Sequence, residues 1–235
     1  MKKAVMSYVR KDIVEAVQKL GYDTIESTPL GGTSSPEGSH ADMQALTLPQ
    51  GDIFLIRDND GLNSTIARLF PDRNIICTNE SISEFKYPEC VKLNAAVVGK
   101  RVIANIKFID KAVTSRLSEL GYELINVKQG YAKCSVCVVS DSAIITSDEG
   151  IARSLKRYDI DVLKISPGHI GLCGSYGGFI GGAAFLADKE LLAFTGDIMK
   201  HPDGESIEEF CRSHSVDTVS LSDENIFDIG GVVAI

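Results

Sequence analysis

The chain has 235 residues, 44% of them hydrophobic, enough to bury a sizeable core and to set aside a disordered chain. A formal net charge of -8, from 24 Lys+Arg against 32 Asp+Glu, leaves no basic surface to release counterions from nucleic acid or an anionic membrane, and a small cationic partner fits better. Six cysteines in a chain so well supplied with core residues read as free thiols rather than a disulfide framework.

Taken in order, the N-terminal stretch MKKAVMSYVRKDIVEAVQKL is broken by Arg10, Lys11, Asp12 and Glu15 too early to be a signal peptide. The longest near-apolar run, GGFIGGAAFLA (177–187), is too short to span a bilayer. Both features predict a soluble, cytoplasmic protein. KAVMSYV (3–9) reads as a strand. KDIVEAVQKLGYDTIES (11–27) combines a helical apolar period, a glycine at the helical stop and a β-rich run. It recurs as KAVTSRLSELGYELINV (111–127), with Lys, Leu, Gly, Tyr and Ile at matching places. Weaker copies follow at 64–78, 149–165 and 205–221, making five units. A second apolar run follows each unit: MQALTL, NAAVV, SVCVV, GGAAFLA and GGVVAI. A tight turn and a third run (DIFLI, RVIANI, SAIITS, ELLAFT) come next in four cases. The fifth unit ends without a third run, and the N-terminal strand is free to supply it.

The expectation is one α/β domain over 1–235: a five-fold pseudosymmetric α/β-propeller of ββαβ-type units closed by the two termini. An open α/β sheet is the plainer alternative. In the ring, the loops entering each second run converge on the axis. That station carries His40 and Asp42, Asn94, Cys134, the glycines of YGGFIGG (Gly177 and Gly178 among them), and Asp228 in DIGG.

At this station the sequence resembles the guanidino-group-modifying enzymes of the pentein superfamily, which include arginine and agmatine deiminases and dimethylarginine dimethylaminohydrolases. HADMQALTL (40–48) is similar to their His-x-Asp strand. GYAKCSVCVV (130–139) is similar to the strand opening with their nucleophilic cysteine, and KYPECVKLNAAVVGKRVIANI (86–106) to the unit between the two in the dimethylaminohydrolases. The units stand in rotated order, and glycine-rich stretches, YGGFIGG and IGGVV, occupy places where the enzymes carry guanidinium-gripping acids. The resemblance implies a cysteine-dependent hydrolase or deiminase without cofactor or metal. It would act on a small guanidine or amidine through a thiouronium-like intermediate, with Cys134 as nucleophile, His40 as acid and base, and Asp42 holding the cation or orienting the histidine. Asn94, Asp228, Gly177 and Gly178 would line the substrate. The alternative from another class is a non-catalytic pentein binding module, in the manner of the ribosome anti-association factors that share the fold.

Each residue also has a plainer reading. A free cysteine is usually core, and a thiol becomes nucleophilic only beside a cation or base, here Lys133 or His40. Cys137, three positions on, would face away from Cys134 on a strand and pack as core. Cys134, Cys137, His169 and Cys173 could form a tetrahedral zinc set, although paired ligands normally sit on a turn. His169 and Cys173 stand in reserve as base and nucleophile within the glycine-rich loop 166–182, whose simplest role is close backbone packing. PLGGTSSPEGS (29–39) could be a lid over His40. Substrate identity and oligomeric state are not legible.

Overall fold

The computed structural model describes residues 2–30, 36–82, 86–172 and 175–235. The chain opens with β1 (Lys2–Met6), α1 (Lys11–Lys19) and β2 (Tyr22–Glu26). A one-turn helix, α2 (Ala41–Gln44), leads into β3 (Ala45–Thr47), β4 (Ile53–Leu55), α3 (Asp60–Leu69) and β5 (Ile75–Cys77). Next come β6 (Ala96–Val98), β7 (Arg101–Ala104), α4 (Lys111–Glu119) and β8 (Glu123–Asn126). A second one-turn helix, α5 (Ala132–Ser135), precedes β9 (Cys137–Ser140), β10 (Ala143–Thr146), α6 (Glu149–Leu155) and β11 (Asp161–Lys164). The hairpin β12 (Gly171–Leu172) and β13 (Ser175–Tyr176) comes before β14 (Ala184–Asp188), β15 (Leu191–Phe194), α7 (Gly204–Ser213), β16 (Asp217–Ser220) and β17 (Val232–Ala234).

The strands form five three-stranded sheets of one pattern and the separate hairpin β12–β13. In each of the five, the first strand runs antiparallel to the second, and a helix crosses over to a third strand parallel to the second. The sheet of the fifth unit draws on both termini. β1 lies between β17 and β2, with Val5 opposite Val233 on one side and Ile25 on the other. No single sheet closes on itself among the described residues.

Local chemistry explains these boundaries. Helix α1 buries Ile13, Val14 and Val17, a one-sided apolar stripe that packs on the sheet containing β1. Side chains of Asn59, Asp110 and Asp148 accept backbone N–H bonds at the starts of α3, α4 and α6. The repeated glycines end their helices in the left-handed region, Gly21 at φ +90° and Gly121 at φ +72°. The central strands β4, β7, β10 and β15 are buried along nearly their whole length, and β1 is buried from Ala4 to Met6, which explains their continuous rather than alternating apolar pattern.

Two segments differ from the sequence reading. The stretches leading into β3 and β9, expected as strand, are single helical turns in α2 and α5. The turns carry His-x-Asp and Cys134, so these side chains are not bound to strand alternation. The lid expectation for 29–39 falls in part on residues 31–35, which lie outside the described residues.

Met6 is fully buried in the terminal-strand sheet, paired with Val232. Met6→Ala is expected to lower unfolding free energy by about 2–4 kcal/mol, measured by urea denaturation, because it leaves a cavity between strands drawn from the two ends of the chain.

Candidate active site

α2, α5 and the loop entering β17 bring their polar residues to one buried place. His40 caps the start of α2, and Asp42 lies in its first turn. Cys134 is the third residue of α5. A ring nitrogen of His40, a carboxylate oxygen of Asp42 and the Cys134 sulfur all lie within 4.8 Å of one another. All three residues are buried, as are Asn94 and Asp228. Such a spacing allows direct proton transfer or transfer through one water.

Asn94 organises this group. Its side-chain N–H donates to Cys134 Sγ at 3.1 Å, and its Oδ1 accepts the backbone N–H groups of Lys133 at 2.7 Å and Cys134 at 3.3 Å. The same side-chain nitrogen donates to the backbone oxygen of Asp42 at 3.3 Å, tying α2 to α5. Asp228 is held by the backbone N–H groups of Phe179 and Gly230, each at 2.8 Å. Backbone bonds join the same loops: Asp42 N–H to Gly230 O, Gly182 N–H to Cys134 O, and Gly231 N–H to Gly182 O. Gly230 sits at φ +79°, and a Cβ there would fall 2.1 Å from His40 Cγ, so only glycine lets this loop lie against the imidazole.

Asp42 differs from Asp228. Both of its carboxylate oxygens are buried and accept no hydrogen bond of full geometry among the described residues, although the Cys134 thiol lies near enough to act on the carboxylate as a weak donor. Burial raises its pKa to about 6, against the opposing pull of His40 and Lys133. Asp228 is also raised by burial, opposed by His40 and by its two backbone N–H donors. Burial, then the charges of Asp42 and Asp228, push the Cys134 thiol well above its ordinary value, and only the Asn94 bond works the other way. In the ligand-free centre, burial and the two carboxylates thus favour the protonated thiol over the thiolate that Lys133 or His40 would stabilise. Lys133 instead donates through Nζ to Gly181 O at 3.0 Å.

The remaining candidates separate. Cys137 opens β9 and packs in an apolar cluster with Val139, Ile145 and Phe194. Among the described residues, His40, Asp42 and Cys134 form the group that could hold a metal ion, and the zinc set built on Cys137 and His169 does not assemble. His169 lies instead against His201, ring centroids 5.4 Å apart. Cys173, the reserve nucleophile, falls outside the described residues. A Cβ on Gly178 would fall 2.4 Å from Gly171 O and 2.8 Å from Asp228 Cβ, so glycine lets the backbone lie close to Asp228 here, and Gly177 precedes it at the end of the β12–β13 hairpin. The sequence reading missed the reach of Lys133 into the field of both acids. Its position beside Cys134 was the only signal.

Residues 4–233 match the model of DUF6873, a family of unknown function. The chain belongs to this family. No curated protein matches it. Among solved structures, it is similar to DDAH from Pseudomonas aeruginosa in complex with citrulline, at 8% identity, covering 100% of this chain and 99% of that one, TM-score 0.59. Agmatine deiminase from C. jejuni is similar at 9% identity, covering 94% and 87%, TM-score 0.56. Inosamine-phosphate amidinotransferase from Streptomyces griseus is similar at 11% identity, covering 96% and 80%, TM-score 0.57. At these identities the likeness is one of fold, and the fold of this DUF6873 protein is that of the pentein superfamily.

The pKa directions fix two expected outcomes. Asp42→Asn removes a charge that holds the Cys134 proton, so iodoacetamide should modify Cys134 at lower pH. Asn94→Ala removes the bond that opposes it and should shift the profile to higher pH; peptide mass spectrometry against pH reads both. Asp42 binds its proton more tightly folded than unfolded, so it adds stability as pH falls from 7 toward 5 and loses it as pH rises through about 6. Thermal melts across that window should show this gain in the wild type and its loss in Asp42→Asn.

Proposed function

We propose that this protein hydrolyses a C–N bond in a small guanidine- or amidine-bearing cation, with Cys134 as nucleophile. The observation that carries the reading is the buried cluster of His40, Asp42 and Cys134 within 4.8 Å, with two Asp42 carboxylate oxygens that accept no hydrogen bond of full geometry. A buried carboxylate without such bonds is costly, and a planar cation able to donate two hydrogen bonds offsets that cost. A similarly folded protein is named for agmatine, a guanidine, and another binds citrulline, whose planar urea group has the shape of a guanidine; both fit such a centre.

The proposed chemistry follows from the field at the sulfur. A bound cation neutralises Asp42 and Asp228, and the thiol proton then passes to His40. The thiolate attacks the central carbon, forming a C–S bond. The C–N bond breaks as His40 returns its proton to the leaving amine, leaving a thiouronium on Cys134. His40 then takes a proton from water, whose oxygen attacks the same carbon; as the C–S bond breaks, the hydroxyl proton of the adduct passes to the departing sulfur, restoring the Cys134 thiol and releasing a urea or amide, and His40 gives its proton to the released amine. Asn94 holds the sulfur in line throughout, and the buried charge of Asp228 adds to the field that draws a cation to this centre.

The architecture in this reading is a single domain, a five-bladed α/β-propeller closed through β1 and β17, with the site on its axis. The first strands of all five sheets line one cavity, which supports it. The five described cysteines are free thiols, which suits the cytoplasm. A second reading, a non-catalytic binding module, is favoured by one observation, the raised pKa of Cys134.

Incubation with a panel of guanidines and amidines, monitored for released amine, decides between them. On the enzyme reading, Cys134→Ala abolishes release, and His40→Ala lowers it about 10²–10⁴-fold. A urea- or amide-forming activity unchanged in Cys134→Ala would contradict this account, as would no turnover of any cation the protein binds.

A further inference from the structure

A cavity of about 450 Å³ runs along the first strands of the five sheets. On one side it follows the chain from Asp42 through β3 to Pro49 and Gly51 of the β3–β4 hairpin. On another it runs from Lys133 through Val138 of β9 to Ser140 and Asp141. It therefore extends from the Asp42 end of these strands to the hairpin end. At about 3.3 Å per residue, Ala45 to Pro49 alone cover roughly 13 Å of it. Between the ends, the wall is made by apolar side chains such as Leu93, Val97, Phe185 and Val232. His40 and Asp228 face a different, smaller cavity of about 140 Å³, room for several waters or a small amine.

We propose that the larger cavity seats the body of the substrate, and that the substrate is a guanidine or amidine on an unbranched apolar chain. Its cationic head lies at Asp42 and its tail points toward the hairpin end. The inference rests on the hydrolase reading above and narrows it to a substrate class. Two observations carry it: the buried carboxylate of Asp42, which accepts no hydrogen bond of full geometry among the described residues, and an elongated apolar chamber that begins at that residue. Beyond Asp42 and Lys133, the charged groups of the lining, Asp52, Arg73 and Asp141, stand at the hairpin end, out of reach of an arginine-like body whose cationic head lies at Asp42; its α-amino and carboxylate groups would fall against the apolar middle, so the chamber selects against it. The small cavity at His40 and Asp228 is left for water and the leaving amine.

The test is calorimetric titration of the full chain with ethyl-, butyl-, hexyl- and octylguanidinium and with arginine. Binding is expected to tighten about three- to fourfold per added methylene, with octylguanidinium well ahead of arginine. Ala184→Phe, which fills the chamber wall, should remove the gain with chain length and leave ethylguanidinium binding intact. Val138→Leu, a milder filling, serves if thermal melts show that the first variant does not fold. Asp42→Asn should weaken every member of the series. If ethylguanidinium binds but affinity does not change with chain length, the chamber assignment falls and the guanidine reading stands. If no guanidine binds at any length, both fall. Octanol binding as tightly as octylguanidinium, unaffected by Asp42→Asn, would also overturn the proposal, because the cavity would then be an apolar void without a head-group site.

Discussion

The centre of this protein depends on keeping two carboxylates and a thiol together out of water. Burying Asp42 and Asp228 is unfavourable unless other groups answer their charge, and the fold answers them unequally. Asp228 receives two backbone N–H bonds from loops that the glycines allow to approach, while Asp42 relies on the field of His40 and Lys133. The asymmetry leaves one acid satisfied and the other poised, as expected of a site that completes itself with a ligand.

The surrounding structure serves this arrangement. Asn94, fully buried at the entry to β6, makes four of the bonds that fix α2 to α5, so the unit without a reactive residue of its own supplies the frame. Gly230 allows the loop before β17 to lie against His40, and the bond from Asp42 N–H to Gly230 O locks the contact. The site is thus built on backbone bonds between loops of different sheets, each anchored by a buried strand. The protonated thiol follows from the same design: in the ligand-free state, the acids that would hold a cation also hold the proton on sulfur.

Much of the fold was legible because its units repeat. The Leu-Gly-Tyr helix stops at 20–22 and 120–122 mark the same structural point, and the missing third strand after GGVVAI points to KAVMSYV. The convergence of His40, Asp42, Asn94, Cys134 and Asp228 followed from reading one station around the units. Less legible were features set by tertiary context. The single turns of α2 and α5 carry too few residues for a helical period, so their apolar neighbours read as strand. The balance of charge around Cys134 was not legible either, because sequence adjacency to Lys133 says nothing about how near the buried carboxylates come to the sulfur. His169 looked like a base in a glycine-rich loop, yet it packs on His201, which follows β15 later in the chain.

The central claim is that a bound cation releases the Cys134 proton. The most direct test is a titration of thiolate ultraviolet absorbance against pH, taken as the difference between wild type and Cys134→Ser, with and without methylguanidinium. The account predicts that the Cys134 thiolate appears at clearly lower pH when the cation is present, and that Asp42→Asn shrinks the difference. A titration unmoved by a cation shown to bind would contradict it, and would leave Cys134 a buried thiol at the centre of a binding protein.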